Sequence, residues 1–427
     1  MKRSAIAIII VLLLSSTLSS ADDSAEKFGP EIFQARRQAL LDSLGTGLAL
    51  LYSSGEYGES GYRADGHFWY LTGNDDPGAI LMLAPGFRYE QVLLLQPRDP
   101  EGERWTGIRP SLTDSLEKAR GYDLICRTDR LDDLVVSCMK QSPVMHLISP
   151  LRAPSDDIPA DLEYYNKASD RIPDIDIINS SRFIEQMRMI KSADEVAAIE
   201  KAIEVTHAGI TDLLSAVTPG ITEFQLEGIL EQSFKRQGAQ HMAFPPIVGS
   251  GERSAILHYE KKDQRLESGQ LLLVDAGAEW DHYCADISRT FPVDGKFSDR
   301  QTEIYDLVLE AQDSAFAAIR PGVTVREIHE ATENVFRKSG YIDYFVHGTS
   351  HHLGVDAHDD ADYNLILAEG MILTVEPGIY IDQEKIGIRI EDDFLVTEKG
   401  YRLLSAHIPR ERAAVERWMS EARNPSR

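Results

Sequence analysis

A chain of 427 residues, 43% hydrophobic and 26% charged, is long enough for two packed domains and ordinary in composition for a globular protein. Its formal charge of −25 excludes a module built to grip a phosphate backbone, which needs clustered Lys and Arg. No nucleic-acid partner is expected; the acid excess serves solubility and weakly favours substrates with a free ammonium group.

Lys2 and Arg3 precede an apolar run from Ala5 to Leu14 and then small and polar residues around Ser19, Ser20 and Ala21. This is the pattern of a secretory signal peptide over residues 1–21, with cleavage after Ala21. The run is too short to span a bilayer comfortably. The expectation is an exported protein, periplasmic or secreted, with no membrane span once the leader is gone. Cys126, Cys138 and Cys284 are too few for a disulfide scaffold or a thiolate metal site, although Cys126 and Cys138 can pair in an oxidising compartment.

From Glu31 to Leu44 the apolar spacing predicts a helix, and Leu48 to Tyr52 a strand. Arg63 to Gly73, with Phe68, Trp69 and Tyr70, reads as an aromatic strand ending in a Gly turn. Further strands are expected at Ala79–Leu83, Gln91–Leu95, Leu124–Cys126, Val144–Ile148 and Ile172–Ile178, with a helix near Ser111–Arg120 and a surface loop over Pro150–Pro159. The alternation is that of a mixed α/β domain over 28–179. Trp105 reads there as a packing residue.

Near Ser180 the texture changes to long helices. Ser192 and Glu195 form a capping box at the head of one of them. Two duplications follow. Val217-Thr218-Pro219-Gly220-Ile221-Thr222 is matched by Ile319-Arg320-Pro321-Gly322-Val323-Thr324, and each copy leads into a helix ending at Gly238 or Gly340. Likewise Gly269 to Val274, then Asp275-Ala276-Gly277, is matched by Gly370 to Val375, then Glu376-Pro377-Gly378. Two units of helix, Pro-Gly turn, helix and acidic strand predict a pseudo-twofold domain over 182–415 whose related strands meet at one site. Residues 417–427 read as a solvated tail.

In the first unit Asp275 is followed by Asp286, and in the second Glu376 by Glu391. A hairpin closing between Asp275 and Asp286 would set the two carboxylates opposite each other on one face of the sheet. Four converging anions cannot all be buried and ionised without cations. Between the acidic pairs lies a His-rich stretch containing His347, His351, His352 and His358. Four carboxylates and an imidazole make a hard, oxygen-rich set that suits two divalent ions, Mn²⁺ best and Co²⁺ or Zn²⁺ less well. The chemistry of such a pair is metal-assisted hydrolysis.

The motifs Val274-Asp275-Ala276-Gly277, Ala285-Asp286-Ile287-Ser288-Arg289-Thr290, His347-Gly348-Thr349-Ser350-His351, Val375-Glu376-Pro377-Gly378 and Arg389-Ile390-Glu391-Asp392 together resemble the pita-bread metallopeptidases, which include methionine aminopeptidase, aminopeptidase P and prolidase. The resemblance implies a two-domain α/β protein: a creatinase-like mixed α/β domain followed by a pita-bread catalytic domain. It implies metal ligands Asp275, Asp286, His351, Glu376 and Glu391, with Asp286 and Glu391 bridging and Glu376 also the general base. It places His258 on the substrate side, His347 and His358 where they would hold the scissile carbonyl and the developing oxyanion, and Arg389 near the substrate's proline end.

The large N-terminal half, with Tyr62-Arg63-Ala64-Asp65 and Phe68 to Gly73, looks closest to aminopeptidase P. In that branch an aromatic after an Arg-Asp pair reaches a neighbouring subunit's site. Trp105 after Arg98-Asp99 fits the place, so a dimer or tetramer is implied. The resemblance differs at His352, where that branch often has Trp or Phe, and in the acidic run Asp359-Asp360-Ala361-Asp362. Phe244, Leu257 and Tyr380 are candidates, by motif position, to line a pocket for the proline ring. The implied activity is an Xaa-Pro aminopeptidase acting on peptides with proline second. The alternatives are an Xaa-Pro dipeptidase with the same metal centre, or a non-catalytic peptide-binding module, which typically loses ligands that this chain keeps.

Overall fold

The computed structural model describes residues 28–58, 61–150 and 153–424. The expected leader lies outside them. Among the described residues no helix is long and apolar enough to cross a membrane.

The N-terminal domain is a six-stranded mixed sheet in the order Leu124–Arg127, Gln91–Leu95, Ile80–Leu83, Leu48–Tyr52, Val144–Leu147, Asp176–Asn179. Its middle strands pair antiparallel and its outer ones parallel. The four central strands are almost wholly buried, as near-continuous Leu, Val and Met runs require when both faces are covered. The helix Pro30–Leu44 covers one face and contributes two buried arginines. Arg37 bonds Gln91, the Leu71 carbonyl and the Gly121 carbonyl. Arg36 reaches across to Glu195 at 3.2 Å and the Tyr283 hydroxyl at 3.1 Å, joining the two domains.

Two sequence expectations are corrected, and one question left open is decided. The aromatic run is a helix, Gly66–Thr72: the Asp65 carboxylate accepts from the His67 and Phe68 amides at its start, and left-handed Gly73 closes it. Because the helix is buried on every side, it shows no amphipathic period. Cys126 and Cys138 are both free, each packed in the apolar cluster on one side of the sheet. Finally, the tail expected from Arg417 belongs to a helix, Arg412–Arg423. Val415, Trp418 and Met419 are buried, and the Trp418 indole donates to Thr211 at 2.9 Å.

The second domain repeats one plan. Helices Ala193–Ala216 and Glu223–Gln237 precede the first acidic strand, and Asp299–Ala318 and Val325–Ser339 precede the second. All four open on a capping box, at Ser192, Thr222, Ser298 and Thr324. Gly220 and Gly322, at φ 97° and 92°, turn the chain at equivalent places. Their amides donate to the Leu266 and Leu367 carbonyls respectively.

Candidate metal centre

The first acidic strand, Leu271–Ala276, lies between Ile247–Ser250 and Ile287–Pro292. The second, Ile372–Val375, lies between Asp392–Thr397 and the segment around His351, which pairs through a His352–Leu373 bridge and a Thr374 amide bond to the His351 carbonyl. Asp275 faces Ser288 across its ladder, not Asp286. The ten intervening residues hold a further small hairpin, Ala278–Trp280 with Tyr283–Cys284, so Asp286 lies two residues along from Ser288, on the same face of the strand. In the second unit Val375 faces Asp392 and Gly378 faces Arg389. The same register sets Glu376 opposite Glu391.

These rungs bring the acids of both units around one imidazole. His351 Nε2 is 3.5 Å from Asp286, 3.8 Å from Glu376 and 3.8 Å from Glu391. One donor atom each of Asp286, His351 and Glu391 fall within 4.8 Å of one another, close enough to share an ion. Asp275 joins through Arg389, whose NH2 lies 2.6 Å from Oδ2; Oδ1 of Asp275 is buried with no hydrogen-bond partner. An orphaned carboxylate oxygen on a residue that lines one cavity with Asp286, Glu376 and Glu391 fits a cation.

Electrostatics agree. Burial, then the charges of Glu391, Asp275, Asp393 and Glu376, push the Asp286 carboxyl well above the usual range. Glu391 is raised in the same way by burial, Glu376 and Asp275. Glu376 is pushed up to about 8, by burial first, with Arg389 opposing and Asp275 adding. Burial, aided by His358, holds His351 down to about 4, leaving a neutral imidazole whose Nδ1 faces the His352 carbonyl at 3.1 Å and whose Nε2 faces the acids.

The acids and His351 line a cavity of about 460 Å³. His258, His347, His358 and Arg389 line it too, and Phe244 and Leu257 form an apolar wall with Pro245 and Pro246. Tyr380 is not on that wall. Its hydroxyl sits behind it, accepting from Arg389 NH1 at 2.7 Å and bonding His347 Nε2 at 2.9 Å. Trp105 is 89% exposed on the N-terminal domain and does not line the cavity. Two contributors escaped the sequence reading. Ser288 donates to Glu391 Oε2 at 2.7 Å and accepts from Arg389 Nε at 2.9 Å. Asp393 accepts the Asp286 amide at 3.2 Å. Strand alternation from Asp286 would have found Ser288.

A duplicated frame converging acids and a neutral imidazole on a peptide-sized cavity is the architecture of a metal-dependent hydrolase. Residues 197–398 match the model of metallopeptidase family M24, and residues 33–147 that of the aminopeptidase P N-terminal domain. The chain is 33% identical to the Xaa-Pro aminopeptidase of Escherichia coli K12, over 92% of this chain and 98% of that one. It is 39% identical to the Xaa-Pro dipeptidase of Pyrococcus furiosus, over 52% of this chain and 64% of that one. A solved structure of aminopeptidase P from E. coli with the inhibitor Pro-Leu superposes with a TM-score of 0.82 at 33% identity, covering 93% of this chain and all of that one. The chain belongs to metallopeptidase family M24, in its aminopeptidase P branch, and is a metallo-exopeptidase.

Proposed function

We propose that this protein is an Xaa-Pro aminopeptidase that removes the residue ahead of a penultimate proline, using two divalent cations held by Asp275, Asp286, His351, Glu376 and Glu391. The observation that carries the reading is the convergence of carboxylates from both halves on His351, at 3.5–3.8 Å, in a cavity with an apolar wall. The cations, Mn²⁺ by the hardness of the donor set, supply Lewis-acid polarisation of the scissile carbonyl and acidify the attacking water.

The chain's own residues do the rest. Glu376 takes a proton from the attacking water and delivers it to the leaving proline nitrogen. His347 is held in one tautomer. Its Nε2 accepts from Tyr380, which itself accepts from Arg389; its Nδ1–H points to the Gly348 carbonyl, and Nδ1 itself lies 3.6 Å from Glu376. It lines the polar wall beside His258 and His358, and those two hold the scissile carbonyl and the oxyanion. An X-Pro bond has no N–H to grip, so orientation falls to these groups and to the apolar wall.

The resemblance to the Pyrococcus dipeptidase favours a second reading in the catalytic half. Arg-Pro-Pro and Ala-Pro, each incubated after Mn²⁺ loading, separate the two: cleavage of the tripeptide supports the aminopeptidase, and cleavage of the dipeptide alone rejects it. We also propose export, resting on the charged and apolar pattern of residues 1–21, and a dimer or tetramer. The assembly is supported by Trp105 and Ile108, 89% and 81% exposed on the N-terminal domain.

A further inference from the structure

His358 lines the cavity and sets its ring edge-to-face on His351, with centroids 4.3 Å apart. Among the described residues its imidazole makes no hydrogen bond, so its place depends on the backbone that carries it. That backbone, from Leu353 to Asp360, is held by three charges drawn from two parts of the chain.

Arg63 of the N-terminal domain donates through Nε to Glu279 at 2.6 Å, through NH2 to the Val355 carbonyl at 2.7 Å and through NH1 to Asp356 at 3.4 Å. Arg188, 1% exposed, bonds Asp356 at 2.7 Å, His67 at 2.6 Å and also Asp359. Lys191 closes on the other oxygen of Asp359 at 2.9 Å. Burial alone would raise the Asp359 carboxyl, but the Arg188 and Lys191 charges overcome it and hold it well below the usual range.

Buried ion networks of this kind add little net stability over apolar packing, because desolvation offsets the attraction. They do fix geometry, because every partner has one place to be. Arg63 is the link between domains: its planar fork grips the loop at two points and a strand of the catalytic domain at a third, which a lysine cannot reproduce.

We propose that Arg63 is a positioning residue for His358, by which the N-terminal domain sets the polar wall of the active cavity; this rests on the substrate-side role given to His358 above. Arg63→Lys keeps the charge and loses the fork. It is expected to lower kcat on Arg-Pro-Pro about 10- to 100-fold, the cost of a small misplacement of a reacting wall, with bound metal and KM little changed.

The decisive readout is non-additivity. In the Arg63→Lys/His358→Ala double variant, the loss should equal that of His358→Ala alone, because Arg63 then has nothing left to position. A fully active Arg63→Lys beside an impaired His358→Ala, or additive losses in the double variant, would overturn the proposal and leave the reading of the site intact. A fully active His358→Ala would overturn both. Should Arg63→Lys fail to fold, Asp356→Asn, at a carboxylate 35% exposed, is judged by the same double-variant comparison.

Discussion

The two halves of the catalytic domain share a frame and differ in what stands on it. Matching the ladders rung for rung places Asp275 against Glu376, Ser288 against Glu391, Asp286 against Arg389 and Gly249 against His351. Even the supporting bonds correspond: the Asp286 amide donates to Asp393, and the Arg389 amide donates to Thr290 at the equivalent place. Only the first rung carries an acid in both halves. At the others, only one half supplies a ligand-type group: Ser288 bonds its counterpart Glu391, and Arg389, the counterpart of Asp286, bonds Asp275 instead. At the last pair a Cβ on Gly249 would come within 2.9 Å of the Arg253 carbonyl oxygen, so the first half has no room for an imidazole. Duplication thus built the frame, and divergence at matched rungs made the site.

The largest effect is expected from removing one acid of either half. Asp286→Ala and Glu391→Ala should each abolish metal occupancy and hydrolysis together, read by elemental analysis and tripeptide cleavage, although they lie in different halves. Retained activity in either would mean that one half suffices.

Next in size is metal removal. Free metal about 1,000-fold above its Kd stabilises the fold by about 4 kcal/mol per ion. The effect depends on pH with a fixed sign. Glu376 is raised to about 8 in the metal-free fold, against about 4.3 for a free glutamate. The stability linked to its protonated form is therefore full below about pH 4.3 and lost as pH rises through about 8. The rise in Tm on adding Mn²⁺ to stripped protein should be larger at pH 8 than at pH 5.5, and a larger rise at pH 5.5 would contradict the anionic cluster.

Ser288→Ala keeps every ligand and removes the hydroxyl that orients Glu391. A loss of about 10- to 100-fold in metal affinity is expected, as for other groups that orient ligands from behind, and metal titration measures it. The smallest effects test the frame itself. Thr222→Ala and Thr324→Ala remove equivalent helix caps and should each cost about 1 kcal/mol in denaturant unfolding, equally in the two halves, with metal affinity unchanged.

Much of this was legible in the sequence, for definable reasons. The acidic strands repeat with their Gly turns, and repetition carries across the chain what a single Asp cannot. Register did not: the gap between Asp275 and Asp286 looked like a simple hairpin and contains a second one. Phe68 to Tyr70 looked extended because aromatics favour strands, whereas the Asp65 cap and left-handed Gly73 decide for helix. The helical spacing of Val415, Trp418 and Met419 is short and set in an otherwise polar stretch, which makes it a weak signal. Tyr380 was placed beside the cavity by its motif but acts through His347 and Arg389. That arrangement, like the grip of Arg63 on the His358 loop, joins residues too far apart in the chain for any local pattern to reveal.

In the proposed mechanism both halves together hold two cations where the peptide bond is cut. The most direct test is to titrate Mn²⁺ into metal-stripped protein while following bound metal and Arg-Pro-Pro hydrolysis in the same samples. Activity is expected to rise with occupancy and level off at two ions per chain in the wild type, with neither binding nor activity in Asp286→Ala. Full hydrolysis in the stripped protein, or two ions retained by Asp286→Ala, would contradict it.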